Sequence, residues 1–271
     1  MKKRLVLLPL VLLFSFLIYS LLFGKLFPYS PVITGFTRHE LGHVVVYIEK
    51  GAAYPNLQEI DSYINKVETF HSLSFKQKPH IYIFGNQRTW TQRSPSRARF
   101  CAYYNGAIIV SPQALQDAQA GLISMEIYLR HELSHSLLYQ HTGIIKAFGY
   151  PKWLMEGIAM YSANQMGTSW YPDKEETLEY IRRGNFIHPK QYKTKNEKQV
   201  NIETPNRIAF IYSEFACIVD YLVSSYGMEK FHHYMVRLLD GADHDAVFFE
   251  EFQIDFEEFI ARFRQQTVAG S

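Results

Sequence analysis

His131-Glu132-Leu133-Ser134-His135 sets two histidines four residues apart, with a glutamate directly after the first. On an α-helix, positions four apart are separated by about 40° around the axis, so both imidazoles project from one face. Two ring nitrogens on one face can reach a single zinc ion, and Glu132 can reach a water that the metal activates. The chemistry open to such a set is metal-assisted hydrolysis. The flanking residues support a helix over residues 122–141. Leu122, Met125, Leu129, Leu133 and Leu137 give apolar spacings of three and four, and Glu126 stands one turn before Arg130. Gly143 offers a C-terminal stop.

HExxH alone does not decide the matter, because the chain holds a second copy, His39-Glu40-Leu41-Gly42-His43. That copy runs into Val44-Val45-Val46-Tyr47-Ile48, a β-branched run that reads as a strand. Residues four apart on a strand lie about 13 Å apart, too far for one ion. The first copy is therefore read as coincidence and the second is followed.

Two residues compete for the third ligand. His141 lies six residues after His135, but the sharp turn that would bring it back needs a glycine where Leu138 stands. The better candidate is Glu156, in Pro151-Lys152-Trp153-Leu154-Met155-Glu156-Gly157-Ile158-Ala159. Proline is favoured in a helix's first turn, and Ile158, Ala159 and Tyr161 continue an apolar pattern. A second helix there can carry Glu156 across to the histidines. Two His and one Glu with the fourth position left to water is a catalytic arrangement, since structural zinc sites close all four positions with protein ligands.

HELSH followed about twenty residues later by WLMEGIAMY resembles the gluzincin metallopeptidases, and more closely their bacterial peptidase MA-like branch. The resemblance covers roughly residues 80–263. It implies an α+β, zincin-like fold: an N-terminal mixed sheet with the active-site helix, followed by a mostly helical C-terminal part. It implies Zn2+ held by His131, His135 and Glu156, with Glu132 as general base and a peptide or protein as substrate. The stretch Ile211-Tyr212-Ser213-Glu214-Phe215, running on to Tyr226-Gly227, is also similar to the family, and by that likeness Tyr212 steadies the transition-state oxyanion. One departure stands out. Four residues after the glutamate ligand, where many gluzincins carry a carboxylate that orients a zinc-bound histidine, this chain has Met160. Ser162, Asn164 or a backbone carbonyl are the alternatives. A second reading keeps the fold without the chemistry, as an anchored peptide- or protein-binding module, and Met160 is the feature that leans toward it.

Three segments follow: an N-terminal helix over residues 1–26, an α/β part over 27–145 and a helical part over 146–271. Met1-Lys2-Lys3-Arg4 precedes about twenty residues without a charge, enough to span a hydrocarbon core of about 30 Å. No small-x-small cleavage site follows, so an uncleaved anchor is expected, with its basic flank in the cytoplasm and the remainder of the chain outside it. Cleavage of this segment would instead give a secreted product. Composition is ordinary for a globular protein, 47% hydrophobic and 20% charged, so the remaining length can build a packed core. Net charge is +2 with no block of like charge, so nucleic-acid binding has no support. The two cysteines, Cys101 and Cys217, fall in a strand and a helix, and no bridge between them is expected.

Coarsely, residues 44–48 and 80–84 read as strands and 57–70 as a helix. Residues 85–98 read as a polar loop. Strands at 100–104 and 107–110 flank Asn105-Gly106, a hairpin-turn pair. Residues 107–110 are expected to offer a free edge to substrate. Beyond a helix capped by Asp173, residues 184–206 read as a long loop. Helices follow at 207–225, 228–239 and 256–264, and the tail 267–271 is expected to be disordered. The adjacent His232 and His233 cannot share a metal on one helix and are read as surface or packing residues.

Overall fold

The computed structural model describes residues 2–270, with side chains from residue 9 onward. The charges of Lys2, Lys3 and Arg4, on which the expected orientation rests, lie outside the described side chains, and Ser271 lies outside the described residues.

Helix α1 (Lys2–Phe23) contains Pro9 and exposes Leu10, Leu13, Phe14 and Phe16. A 3₁₀ turn at Phe27–Tyr29 then seats Phe27 against Phe36, Tyr82 and Phe84. The Arg93 guanidinium lies 4.7 Å from the centre of the Phe27 ring, a cation–π contact that fastens this junction to the body.

The sheet has five strands, β1 (Phe36–Glu40), β2 (Val45–Glu49), β3 (His80–Ile83), β4 (Phe100–Ala102) and β5 (Ile108–Val110), in the order β1-β2-β3-β5-β4. The outer pairs are antiparallel and the inner pairs parallel, with Val46 beside Ile81, Tyr82 beside Ile109 and Cys101 beside Ile109. Side chains alternate between two buried faces. Ile81, Ile83, Ile108 and Val110 face helices α2 (Glu59–His71) and α5 (Met125–Ala147), meeting Ile64, Val67, Leu129, Leu133 and Leu137. Tyr82, Phe84 and Ile109 face the other way, toward Phe27 and Trp90 of α3 (Gln87–Arg93). A further helix, α4 (Pro112–Gln119), joins β5 to α5.

Beyond α5 the described residues are mostly helical: α6 (Lys152–Ala163), α7 (Lys174–Arg182), α8 (Arg207–Tyr226), α9 (Met228–Leu239), α10 (His244–Phe252) and α11 (Phe256–Ala269). By length and composition α8 could pass for a membrane span, yet Phe210, Phe215, Val219 and Leu222 bury it in this second core. Leu138 of α5 belongs to the same core, so α5 serves both parts, Leu133 and Leu137 facing the sheet and Leu138 the helices. Gly157 lets α6 and α8 touch. A Cβ there would stand 2.7 Å from the Phe215 carbonyl oxygen, closer than real contacts allow.

The α+β class, the mixed sheet and the mostly helical second part agree with the sequence reading. Several details do not. Residues 85–98 hold α3, whose Asn86 side chain accepts from the Arg88 and Thr89 N–H groups and so caps a real helix. β1, α4 and α10 were not foreseen either, although Ser111-Pro112 is a clear helix-start signal for α4. The tail is ordered in α11 through Ala269, with Thr267 buried and bonded to the Phe263 carbonyl. β5 is an interior strand, paired on both sides, and the free edge belongs to β4. The expected boundary after residue 145 falls in the short helical piece beyond Gly143, whose φ of 68° breaks α5. Cys101 and Cys217 are both free thiols, as expected.

Candidate metal centre

Ser124 caps α5 through its side chain and Glu126 stands in the first turn, where a negative charge suits the helix dipole. Two ties then set the helix in rotation. Ser134 Oγ meets His71 Nε2 at 2.9 Å on the α2 side. Ser136 Oγ donates to the Gly106 carbonyl at 2.6 Å, holding the β4–β5 turn down on the helix. That rotation aims His131 and His135 at α6.

The two Nε2 atoms face each other at 3.1 Å, and Glu156 Oε2 lies 3.6 Å from His131 Nε2 and 3.3 Å from His135 Nε2. A tetrahedral ion with ligand bonds of about 2.0–2.1 Å separates its ligand atoms by about 3.3 Å. The three side chains are buried, and they could hold a metal ion. Their electrostatics agree. Burial opposes ionisation of Glu156, but the His135 charge, the hydrogen bonds of both histidines and Lys193 outweigh it and hold the carboxyl well below its usual range. Burial likewise disfavours charging His131, yet its hydrogen bond to Glu156 and the charges of Glu132 and Glu156 raise its pKa. Nitrogens and oxygen that crowd together at these distances gain from a shared cation.

Glu132 stands in the same cleft, a space of about 900 Å³. Its Oε2 accepts the Ala102 N–H of edge strand β4 at 2.6 Å. One of the two edge strands of the sheet thus borders the cleft directly. Tyr212, in the second turn of α8, lines it from the other side, its ring centre 6.3 Å from that of His131 and nearly parallel to it. Burial first, then the Glu156 charge, raises the Tyr212 phenol well above its ordinary value, so it stays protonated. Its hydroxyl accepts a hydrogen bond from the Tyr192 hydroxyl at 3.4 Å.

The structure therefore brings His131, His135, Glu132, Glu156 and Tyr212 together. It does not bring in His141, which bonds the Ser74 carbonyl at 2.9 Å. His39 lies in β1, next to its last residue, and His43 lies in the turn before β2, at the far edge of the sheet from β4. His232 bonds the Phe70 carbonyl and His233 pairs with Glu251, the packing and surface roles foreseen for them. Met160 is fully buried, Ser162 Oγ is spent on the Ala159 carbonyl, and Asn164 is exposed. None of them bonds the Nδ1 atoms of His131 and His135, which are buried without partners.

Residues 184–206 add what the sequence reading missed. They form an ordered strap with two 3₁₀ turns, and Lys193 reaches from it to Glu156 Oε1 at 3.3 Å. Lys193 adopts φ 56°, a left-handed conformation that no pattern in KTKNEK announces. Compared with protein-family models and with curated proteins, the chain finds no match.

Proposed function

We propose that this chain is a zinc-dependent metallopeptidase of gluzincin type, with a zincin-like fold, held at the membrane by α1 and acting outside the cytoplasm. The observation that carries the reading is Glu132. Its carboxylate opens onto the same cleft as the three ligand atoms and is aimed there by the Ala102 N–H. Two imidazoles and one carboxylate form a donor set that suits zinc. Zinc bound there would supply Lewis acidity and lower the pKa of a water toward neutrality.

Glu132 takes the proton of the attacking water and passes it to the leaving amine. Tyr212, kept protonated by burial, donates toward the developing oxyanion. Apart from the Ala102 N–H held by Glu132, the outer edge of β4 offers backbone groups to an extended peptide, the strand-addition mode of peptide recognition. For the anchor, the support is length and exposure. The 22 residues of α1 extend about 33 Å, and its described apolar side chains face outward.

The test is zinc content of the full-length protein by elemental analysis, alongside peptide hydrolysis. One zinc per chain, weakened by His131→Ala and Glu156→Ala and indifferent to His141→Ala and His39→Ala, is the expected result. Glu132→Gln should keep the zinc and lose about 10²- to 10⁴-fold in turnover. Zinc binding and peptide binding without turnover in either wild type or Glu132→Gln would make the chain a binding module. No zinc in wild type would overturn the reading altogether.

A further inference from the structure

Helix α6 ends one turn after Met160. Asn164 takes the left-handed conformation, φ 53°, and the Gln165 N–H closes back on the Met160 carbonyl at 3.1 Å. This reversal sends the Gln165 side chain inward. The residue is only 1% exposed and lines the cleft beside Tyr128 and His131. Three polar atoms gather there, Gln165 Oε1, His131 Nδ1 and the Tyr128 hydroxyl, and each is buried without a hydrogen-bond partner. A buried polar atom left unpaired costs about 1–3 kcal/mol, so three such neighbours with complementary donors and acceptors belong to one another.

The chemistry of the three groups fixes the pairing. A metal ligand must present a lone pair on Nε2, so His131 carries its proton on Nδ1 and that N–H needs an acceptor. An amide has one to give and has N–H groups left for a phenol oxygen. We propose that Gln165 is the positioning residue of His131: its Oε1 accepts the Nδ1 proton and its amide N–H donates to Tyr128, which locks tautomer and ring angle from the end of α6 rather than from position 160. The inference rests on the metal-site reading above. The Gln165 side chain lies within hydrogen-bonding reach of both rings, and Ser169 is a second neighbour of the Tyr128 hydroxyl. Met160 then needs no replacement in kind. Its place is apolar because the acceptor comes from five residues further on, around the helix end.

The experiment uses the full-length protein, metal-stripped and titrated with zinc against a chromophoric chelator, for wild type, Gln165→Leu and Gln165→Glu. Gln165→Leu should bind zinc about 10- to 100-fold more weakly. Gln165→Glu, which keeps an acceptor, should restore wild-type affinity or better. A second readout needs no metal: ¹⁵N NMR of the imidazoles should show His131 protonated at Nδ1 in the wild type and shifted toward the Nε2–H tautomer in Gln165→Leu. Zinc affinity of Gln165→Leu within twofold of wild type, with the His131 signature unchanged, would overturn the assignment. If Gln165→Leu does not fold, a wild-type His131 without a proton on Nδ1, or a Gln165→Glu protein that loses zinc, overturns it equally. A wild type that binds no zinc would sink the metal-site reading, and the NMR comparison would still decide the Gln165–His131 bond.

Discussion

Lys193 Nζ lies 3.3 Å from Glu156 Oε1, while Oε2 of the same carboxylate faces the two histidines. One carboxylate thus stands between a fixed cation and the place where a metal cation could sit. The lysine is half-exposed, and the charge of Glu156 raises its pKa over the opposing effect of burial. It is a permanent positive charge at the mouth of the cleft.

Lys193→Met separates two roles that this contact could have. If the lysine held Glu156 in place, its loss would weaken metal binding. Electrostatics argues the other way, since two like charges share one carboxylate and removing one relieves repulsion of the other. Lys193→Met is therefore expected to bind zinc at least as tightly as wild type by chelator competition. Turnover of a peptide substrate should fall by about tenfold, because negative charge developing in the transition state loses a nearby cation. A variant that loses zinc while keeping its fold would assign Lys193 to support of the ligand instead.

The strap that carries Lys193 is pinned by Glu214, and this makes a pH prediction. Glu214 sits in α8 with no exposure, and both carboxylate oxygens accept the Ile187 N–H, at 3.2 and 3.3 Å. Burial pushes its pKa well above the ordinary value, over the opposing effects of the Ile187 bond and the Arg264 charge. A carboxyl whose folded pKa is raised binds its proton more tightly when folded. Its contribution is fully present below the unfolded pKa of about 4.5 and is lost as pH rises through the folded pKa. Glu214→Gln keeps the shape and the acceptor but cannot ionise. Thermal unfolding of the two proteins should therefore coincide near pH 4 and separate above it, with the variant the more stable, by no more than about 1.4 kcal/mol per pH unit. Parallel curves across the range would show that Glu214 titrates normally.

The parts of the site that could be read from sequence are those whose geometry is local. The four-residue spacing of His131 and His135 fixes one helix face whatever the fold does, and Glu132 comes with it. Glu156 was reachable because Pro151 and the apolar run after it mark a second helix start. Lys193 and Gln165 were not reachable. Each depends on one residue in the left-handed region, Lys193 itself and Asn164 before Gln165, and on where the chain turns back in three dimensions. Sheet order was hidden for a related reason. β4 and β5 are each three residues long, and only the parallel pairing of β5 with β3 decides which of them is left with the free edge. The Asn105-Gly106 turn was legible, but the turn says nothing of what lies beyond the hairpin.

Gly157 tests whether the geometry of the centre depends on helix contact. It follows Glu156 directly, and a Cβ on it would meet the Phe215 carbonyl oxygen at 2.7 Å and Val219 Cγ2 at 3.0 Å. The first of these is backbone in the middle of α8 and cannot rotate aside, so Gly157→Ala has to push α6 and α8 apart. An alanine in a helix interior gains about 1 kcal/mol over glycine from propensity alone, and in a tight contact overpacking costs about 1–3 kcal/mol. A clash with backbone falls toward the upper end of that range, so the variant should be less stable by up to about 2 kcal/mol in denaturant unfolding. The displacement should also show at the site. Glu156 rides on α6 and Tyr212 on α8, so separating the helices carries the ligand and the phenol apart. Zinc affinity should fall, and turnover should fall further than zinc loss explains. A variant that is stabilised, with zinc affinity and turnover unchanged, would mean that the two helices are not held at the distance that brings Tyr212 to the metal centre.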